Sequence, residues 1–175
     1  IVIIGSHVNK TTMQLEELKK SNLDIVFIEF NQHKVLEENG LEDEVNRVVH
    51  LTEYNIKSGN TVIIYTKRER IDFPKGDADN QIKMSVKISE SITKIVSKLN
   101  IKPSFIIAKG GITSSDIGTK GLRAKKSLVL GQIENAVPVW LTGNEAKFKN
   151  MPYIIFPGNV GDNDTLKNIV EKLMH

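Results

Sequence analysis

"AKGGITSSD", Ala108–Asp116, is the stretch on which the reading of this chain turns. Apolar Phe105, Ile106, Ile107 and Ala108 run into it, and a lysine, paired glycines, hydroxyl residues and an acid follow. A buried strand that ends in a glycine turn and opens a helix puts backbone amides where an anion can approach. The same string also suits an ordinary strand-to-helix turn. The rest of the chain has to choose between them.

Working outward, the same kind of run recurs: "IVIIG" at Ile1–Gly5, "DIVFIE" at Asp24–Glu29, "TVIIYT" at Thr61–Thr66, "VPVWLTG" at Val137–Gly143 and "PYIIFPG" at Pro152–Gly158. "SLVLG", Ser127–Gly131, is a weaker one. The runs are continuous rather than alternating, as in strands covered on both faces. Between them lie helical stripes. Leu41, Val45, Val48, Val49, Thr52 and Ile56 form one that Gly59 stops. Ile88, Ile92, Ile95, Val96 and Leu99 form another ahead of Pro103, and Leu166, Ile169, Val170 and Leu173 form the last. Thr11 and Gln14 have capping-box spacing before Leu15 and Leu18. Strands alternating with helices predict a layered, Rossmann-like α/β domain around a mostly parallel sheet. Lys67–Asn80, charged and carrying Pro74 and Gly76, reads as a long loop.

The length, 175 residues, suits one domain with a real core. With 39% hydrophobic and 26% charged residues, the chain is neither a membrane protein nor a disordered tail. No apolar run nears the roughly 18 residues of a membrane span, and no signal peptide is evident. The absence of cysteine excludes a disulfide framework, a thiolate zinc site and a cysteine nucleophile, and fits a cytoplasmic setting. The chain opens on "IVIIG" without a methionine, so it reads as a piece of a longer protein. A net charge of +3 does not argue for nucleic acid, and the aromatic residues do not interleave with the basic ones as a single-strand groove requires. That charge is uneven: Ile101–Leu130 carries six basic residues against Asp116, whereas Glu29–Glu53 carries seven acids against Lys34 and Arg47.

Ligands of open α/β sheets bind beyond the carboxyl ends of the strands. Three strand ends stand out there: "GSHVNKTT" at Gly5–Thr12, "KGGITSSD" at Lys109–Asp116 and "PGNVGDND" at Pro157–Asp164. Each combines glycine, a hydroxyl or amide side chain and a following helix, which together favour a phosphate-bearing ligand. Lys109 lies inside its turn. His7 lies in the first turn, while His33, His50 and His175 are scattered, and Trp140 reads as core. There is no G-x-x-x-x-G-K-[ST] and no G-x-G-x-x-G after the first strand, so neither a P-loop protein nor a dehydrogenase is indicated. No compact metal-ligand cluster is visible either.

"GSHVNKTTMQLEEL", "FIIAKGGITSSDIGTKGL", "VLGQIENAVPVWL" and "PGNVGD", in that order and spacing, resemble the C-terminal nucleotide-binding domain of the four-carbon acid sugar kinase family. The resemblance runs from Gly5 to Leu173. It implies that residues 1–175 are the ATP-binding part of a two-domain, cytoplasmic carbohydrate kinase. That enzyme would transfer the γ-phosphate of ATP to a hydroxyl of a tetronate or 3-oxo-tetronate, with Mg2+. The sugar acid and the acid/base chemistry would belong to an N-terminal partner domain, so this transferase fragment alone should be inactive. Carried over by position, Ser6, Gly110, Gly111, Ile112, Thr113 and Gly158 fall on the nucleotide contacts. The glycine turn would present amides, and Thr113 and Ser114 hydroxyls, to the phosphates, while Asp116 in a helix's first turn and Asp162 read as capping acids. Asn135-Ala136 stands where relatives carry Pro-Gly. Nucleic-acid and membrane partners are not implied, and homodimerisation stays open. The alternative is a regulatory or interaction domain that kept the fold and ignores ATP.

Overall fold

A computed structural model describes residues 1–69, 71 and 78–174. Among them, seven strands form one sheet in the order β2-β3-β1-β4-β7-β6-β5. The strands are β1 (Val2–Ile4), β2 (Ile25–Phe30), β3 (Thr61–Thr66), β4 (Ile106–Lys109), β5 (Ser127–Glu134), β6 (Val137–Thr142) and β7 (Pro152–Phe156). β2, β3, β1, β4 and β7 are parallel, and β6 and β5 extend the sheet antiparallel. The mostly parallel α/β architecture expected from the sequence is therefore the one observed.

The parallel strands are mostly apolar because helices cover both faces of the sheet. On one face Leu15 and Leu18 of α1 (Asn9–Lys19) and Leu166, Ile169 and Val170 of α5 (Thr165–Met174) meet Val2, Ile4, Ile63 and Ile154. On the other, Val45 and Val48 of α2 (Gly40–Lys57) and Ile92, Ile95 and Val96 of α3 (Ala78–Lys98) meet Ile1, Ile3, Val62 and Ile64. Gly59 follows α2 with φ +84°, the left-handed conformation in which a helix commonly ends. After β4, α4 (Gly111–Asp116) joins the second face and continues as a π-helical turn, Ile117–Gly121.

Two expectations give way here. Thr11 and Gln14 lie inside α1, whose N-cap is Val8, so they are not its capping box. The apolar run at Ser127 is not covered on both faces: β5 is an edge strand whose Leu128, Val129 and Leu130 are exposed. Of the expected loop, residues 70 and 72–77 lie outside the described residues, as does His175, and the loop's last residues, 78–80, already belong to α3.

Candidate functional site

From β1 the chain crosses to the α1 face, and from the adjacent β4 it crosses to the α4 face. The strand order thus reverses between β1 and β4, opening a crevice beyond their carboxyl ends, the place where open α/β sheets hold ligands. Ser6 follows β1 and Gly110 follows β4, so the two meet at the base of the crevice. β7 lies next to β4 and brings Pro157 and Gly158 to the same edge.

The three turns are packed against one another. A Cβ on Gly110 would stand 3.1 Å from Ser6 Cβ and 3.2 Å from Thr113 Oγ1, and one on Gly158 would stand 3.0 Å from Ser6 Oγ. A Cβ on Gly5 would overlap Thr113 Oγ1 at 2.3 Å. These glycines let the turns close. Gly111 differs, since beyond its chain neighbours and its own helix backbone no atom lies within 4 Å of where its Cβ would be. Gly110, at φ +125°, is the glycine in the region that side chains avoid, and Gly111 already has helical geometry. Ser6, Gly110, Thr113 and Gly158 are thus brought together, and Gly111 and Ile112 form the open rim, with Ile112 73% exposed. At this helix start the amides of Gly111, Ile112 and Thr113 have no intrahelical acceptor.

The hydroxyls behave differently from the sequence expectation. Ser114 Oγ donates to Gly110 O at 2.8 Å and lies 3.1 Å from Gly111 O, so it fastens the turn itself. Thr113 is buried against Gly5. Asp116 is the last residue of α4, not in its first turn, and it accepts from Ser89 Oγ at 3.1 Å and pairs with Lys120 at 3.0 Å. At Asp162 it is the backbone that acts, its N–H donating to Thr165 Oγ1 at 2.7 Å.

Lys109 is fully buried on β4, with its ammonium donating to Pro157 O at 2.9 Å and placed 3.6 Å from the Phe156 ring centroid. Gly110 N–H donates to Phe156 O at 2.8 Å alongside it. Burial, helped by Lys10, pulls the Lys109 pKa down to about 7. Of the six basic residues in its segment, Lys109 is the one that ties β4 to the β7 turn.

Three residues of this neighbourhood were not read as part of the site from the sequence, Thr11 and Gln14 having been assigned to a helix cap and Arg68 not singled out. Thr11 Oγ1 donates to Gly158 O at 3.1 Å, and Gln14 Nε2 donates to Val160 O at 3.0 Å and Asp162 O at 2.7 Å, so α1 pins the turn after β7. Their signal was there to read: Thr11 and Gln14 share the stripe of Leu15 and Leu18, and polar groups on a buried stripe need partners. Arg68 donates to Ser6 O at 2.9 Å and to Thr12 Oγ1 at 2.7 Å, and burial lowers its pKa. Nothing in "TKRER" separated Arg68 from its charged neighbours. His7 Nε2 lies 3.2 Å from Lys67 O, beside a cavity of about 350 Å³ whose walls include Gly5, Ile88 and Thr113.

The described residues hold no group of three or more histidine, cysteine or acidic side chains that could bind a metal. No helix among them is long and apolar enough to cross a membrane.

Comparison with known proteins agrees with this architecture. The chain is similar to a Bordetella bronchiseptica protein described as a domain of unknown function, a domain-swapped dimer with bound citrate. The identity is 13% and the TM-score 0.69, over 99% of this chain and 40% of that one. It is similar also to a Haemophilus influenzae protein at 20% identity and TM-score 0.68, over 99% and 40% of the two chains. A Salmonella typhimurium protein gives 16% identity and TM-score 0.68, over 98% and 40%. Identities this low speak to the fold alone, and the chain spans 40% of the length of these three proteins. No curated protein matches it. The family model of the nucleotide-binding C-terminal domain matches residues 1–166, nearly the whole chain. With its crevice at the point where the strand order reverses and its glycine turn on the rim, the chain belongs to the family of nucleotide-binding C-terminal domains.

Proposed function

We propose that this chain is the ATP-binding domain of a sugar-acid kinase, and that the crevice between β1 and β4 takes the phosphates. The observation that carries the reading is the convergence of Ser6, Gly110, Thr113 and Gly158 on one strand-end crevice, with Gly111 left open at its rim. Amides at the start of α4 would donate to phosphate oxygens, and Ser6 would approach from the β1 side. Phosphoryl transfer asks a protein chiefly for positioning and charge stabilisation, and this crevice supplies a rigid set of donors. Lys109 and Arg68 supply positive charge behind it.

Mg2+ would neutralise phosphate charge during transfer. Since the described residues offer no cluster of acidic ligands, it would be held by phosphates and water rather than by a protein cage. The acceptor is a hydroxyl of a four-carbon acid sugar held by a separate substrate domain of the same protein. The attacking hydroxyl and its base belong to that domain. Residues 1–175 alone would bind nucleotide without turning it over.

Calorimetric titration of this chain with Mg·ATP tests the reading. Saturable binding that inorganic tripolyphosphate displaces supports it. A chain that ignores ATP at millimolar concentration is instead a regulatory or interaction domain of the same fold.

A further inference from the structure

β5 stands last in the strand order and, among the described residues, pairs with β6 alone, so its other side is an open edge. An open edge carries a row of unpaired N–H and C=O groups, and soluble proteins normally blunt it with charge, proline or a covering segment. Ser127–Ile133 contains no charged residue and no proline. Leu128, Val129 and Leu130 are each more than half exposed there. Val129 stands opposite Trp140 and Leu128 opposite Leu141, so the two point to opposite faces of the sheet. Leu130 is the extra residue of a bulge. It and Gly131 share Val139 as their partner, which puts Leu130 on the face of Leu128.

Neither face is closed over this stretch. α5 approaches β5 at its far end, where Lys172 pairs with Glu134, and leaves Leu128 and Leu130 open. On the other face Trp140, beside Val129, is only partly buried, contrary to its reading as core. The charges are sorted by end. Lys125 and Lys126 are exposed ahead of β5, and Glu134 closes it. Neither lysine forms a salt bridge among the described residues. A strand that is basic at its start, apolar in its middle and acidic at its end complements itself when antiparallel.

We propose that β5 pairs antiparallel with β5 of a second copy of this chain, on a two-fold axis through Val129, so that the two seven-stranded sheets become one. Val129 then meets its own counterpart on one face. On the other, Leu128 lies across from Leu130 of the partner subunit, and the reverse holds, as a two-fold interface requires. Lys126 lies across from Gln132 of the partner subunit and diagonal to Glu134 of the partner subunit, a separation that long side chains span. A parallel pairing would instead set lysine beside lysine. The second bulge of β5, between Gln132 and Glu134, confines the flat edge to the residues before it. β5 stands three strands away from β4, so the pairing leaves the crevice open and does not depend on the phosphate reading.

Sedimentation velocity of this chain from about 1 to about 200 μM, the range in which a small interface assembles, is the test. It should show a species of twice 19.6 kDa that dissociates on dilution. The amides of Ser127–Gly131 should exchange with solvent more slowly at the upper concentration than at the lower. Val129→Lys sets like charges together on the axis and should leave a monomer. Lys126→Glu should weaken the dimer about five-fold or more, and Lys126→Glu combined with Glu134→Lys should recover it. Thermal melts show whether each variant is folded, and should Val129→Lys fail to fold, the exchange of the wild-type edge decides. A wild-type chain that stays at 19.6 kDa throughout overturns the proposal and gives the edge to some other partner. A dimer that keeps its affinity in Val129→Lys or in Lys126→Glu overturns it too, as does one whose β5 amides exchange alike at both concentrations.

Discussion

Lys109 and Phe156 are neighbours across β4 and β7, and the Lys109 ammonium lies 3.6 Å from the Phe156 ring centroid while its N–H groups reach the carbonyls of Pro157 and Gly158. Around this buried cation stand two carbonyls, one ring and the repelling Lys10. No carboxylate within ion-pairing distance offsets it among the described residues. It is a fastener for the candidate site, made of a group that is costly to bury.

Lys109 gives stability a pH dependence of known sign. Its folded pKa, about 7, lies below the unfolded value of 10.5, so between those values the unfolded chain binds more protons. Stability contributed by this group therefore rises with pH across that window, by at most about 1.4 kcal/mol per unit. It is lowest below pH 7, where both states are charged. Lys109→Met should remove this slope. Chemical denaturation of both proteins at pH 7, 8 and 9 measures the difference, and parallel curves would show that Lys109 does not titrate in this range. At pH 7 the variant should bind ATP about ten-fold more weakly, since the turn after β7 loses its tie and the site a cation.

Gly111 and Gly110 should separate binding from folding. Gly111→Val places a branched side chain in open space at the rim, where an approaching phosphate would meet it. ATP binding should be lost, at a folding cost of no more than about 1 kcal/mol. Gly110→Ala forces a side chain into φ +125° against Ser6 and should cost about 2–3 kcal/mol. Thermal melts beside calorimetry give both quantities. A Gly111→Val protein that melts like the parent and binds ATP with parental affinity would leave "AKGGITSSD" as a turn and nothing more.

Gln14 should matter more for the site than for the core. Its amide holds Val160 O and Asp162 O, and Gln14→Leu leaves both carbonyls without that donor. A loss of about 1–3 kcal/mol is expected in denaturant unfolding. Faster hydrogen exchange should be confined to the turn Gly158–Asp164, and exchange that spreads evenly over the sheet would argue for a general packing defect instead.

Ala136 occupies the β5–β6 turn at φ +58°, where its N–H donates to Gln132 Oε1 at 2.8 Å. A left-handed alanine costs about 1–2 kcal/mol, part of which a glycine's unfolded-state entropy cancels. Ala136→Gly should raise stability by about 0.5–1 kcal/mol. A lowered melting temperature would show that the turn tolerates alanine without strain.

Much of this molecule was legible from short-range pattern. Each parallel strand had announced itself as an apolar run ending in glycine or a polar turn, because strands under two helical layers can carry little else. The stripes of α2, α3 and α5 were equally plain. The edge strand β5 was misjudged, since an apolar run does not say whether a neighbouring layer exists to cover it. Gln14 and Thr11 were assigned to a cap from spacing alone, although their partners lie 146 to 148 positions away along the chain.

The sequence by itself determined the layered α/β architecture and the three glycine turns, because those depend on local hydrophobic period and backbone freedom. Only the tertiary structure decided that the turns meet in one crevice, that Gly110 and not Gly111 carries the left-handed backbone, and that the Lys109 ammonium fastens β4 to β7. The physical reason is that strand order and side-chain burial come from packing between segments tens of residues apart. A linear pattern records which groups can be buried and is silent on what will face them.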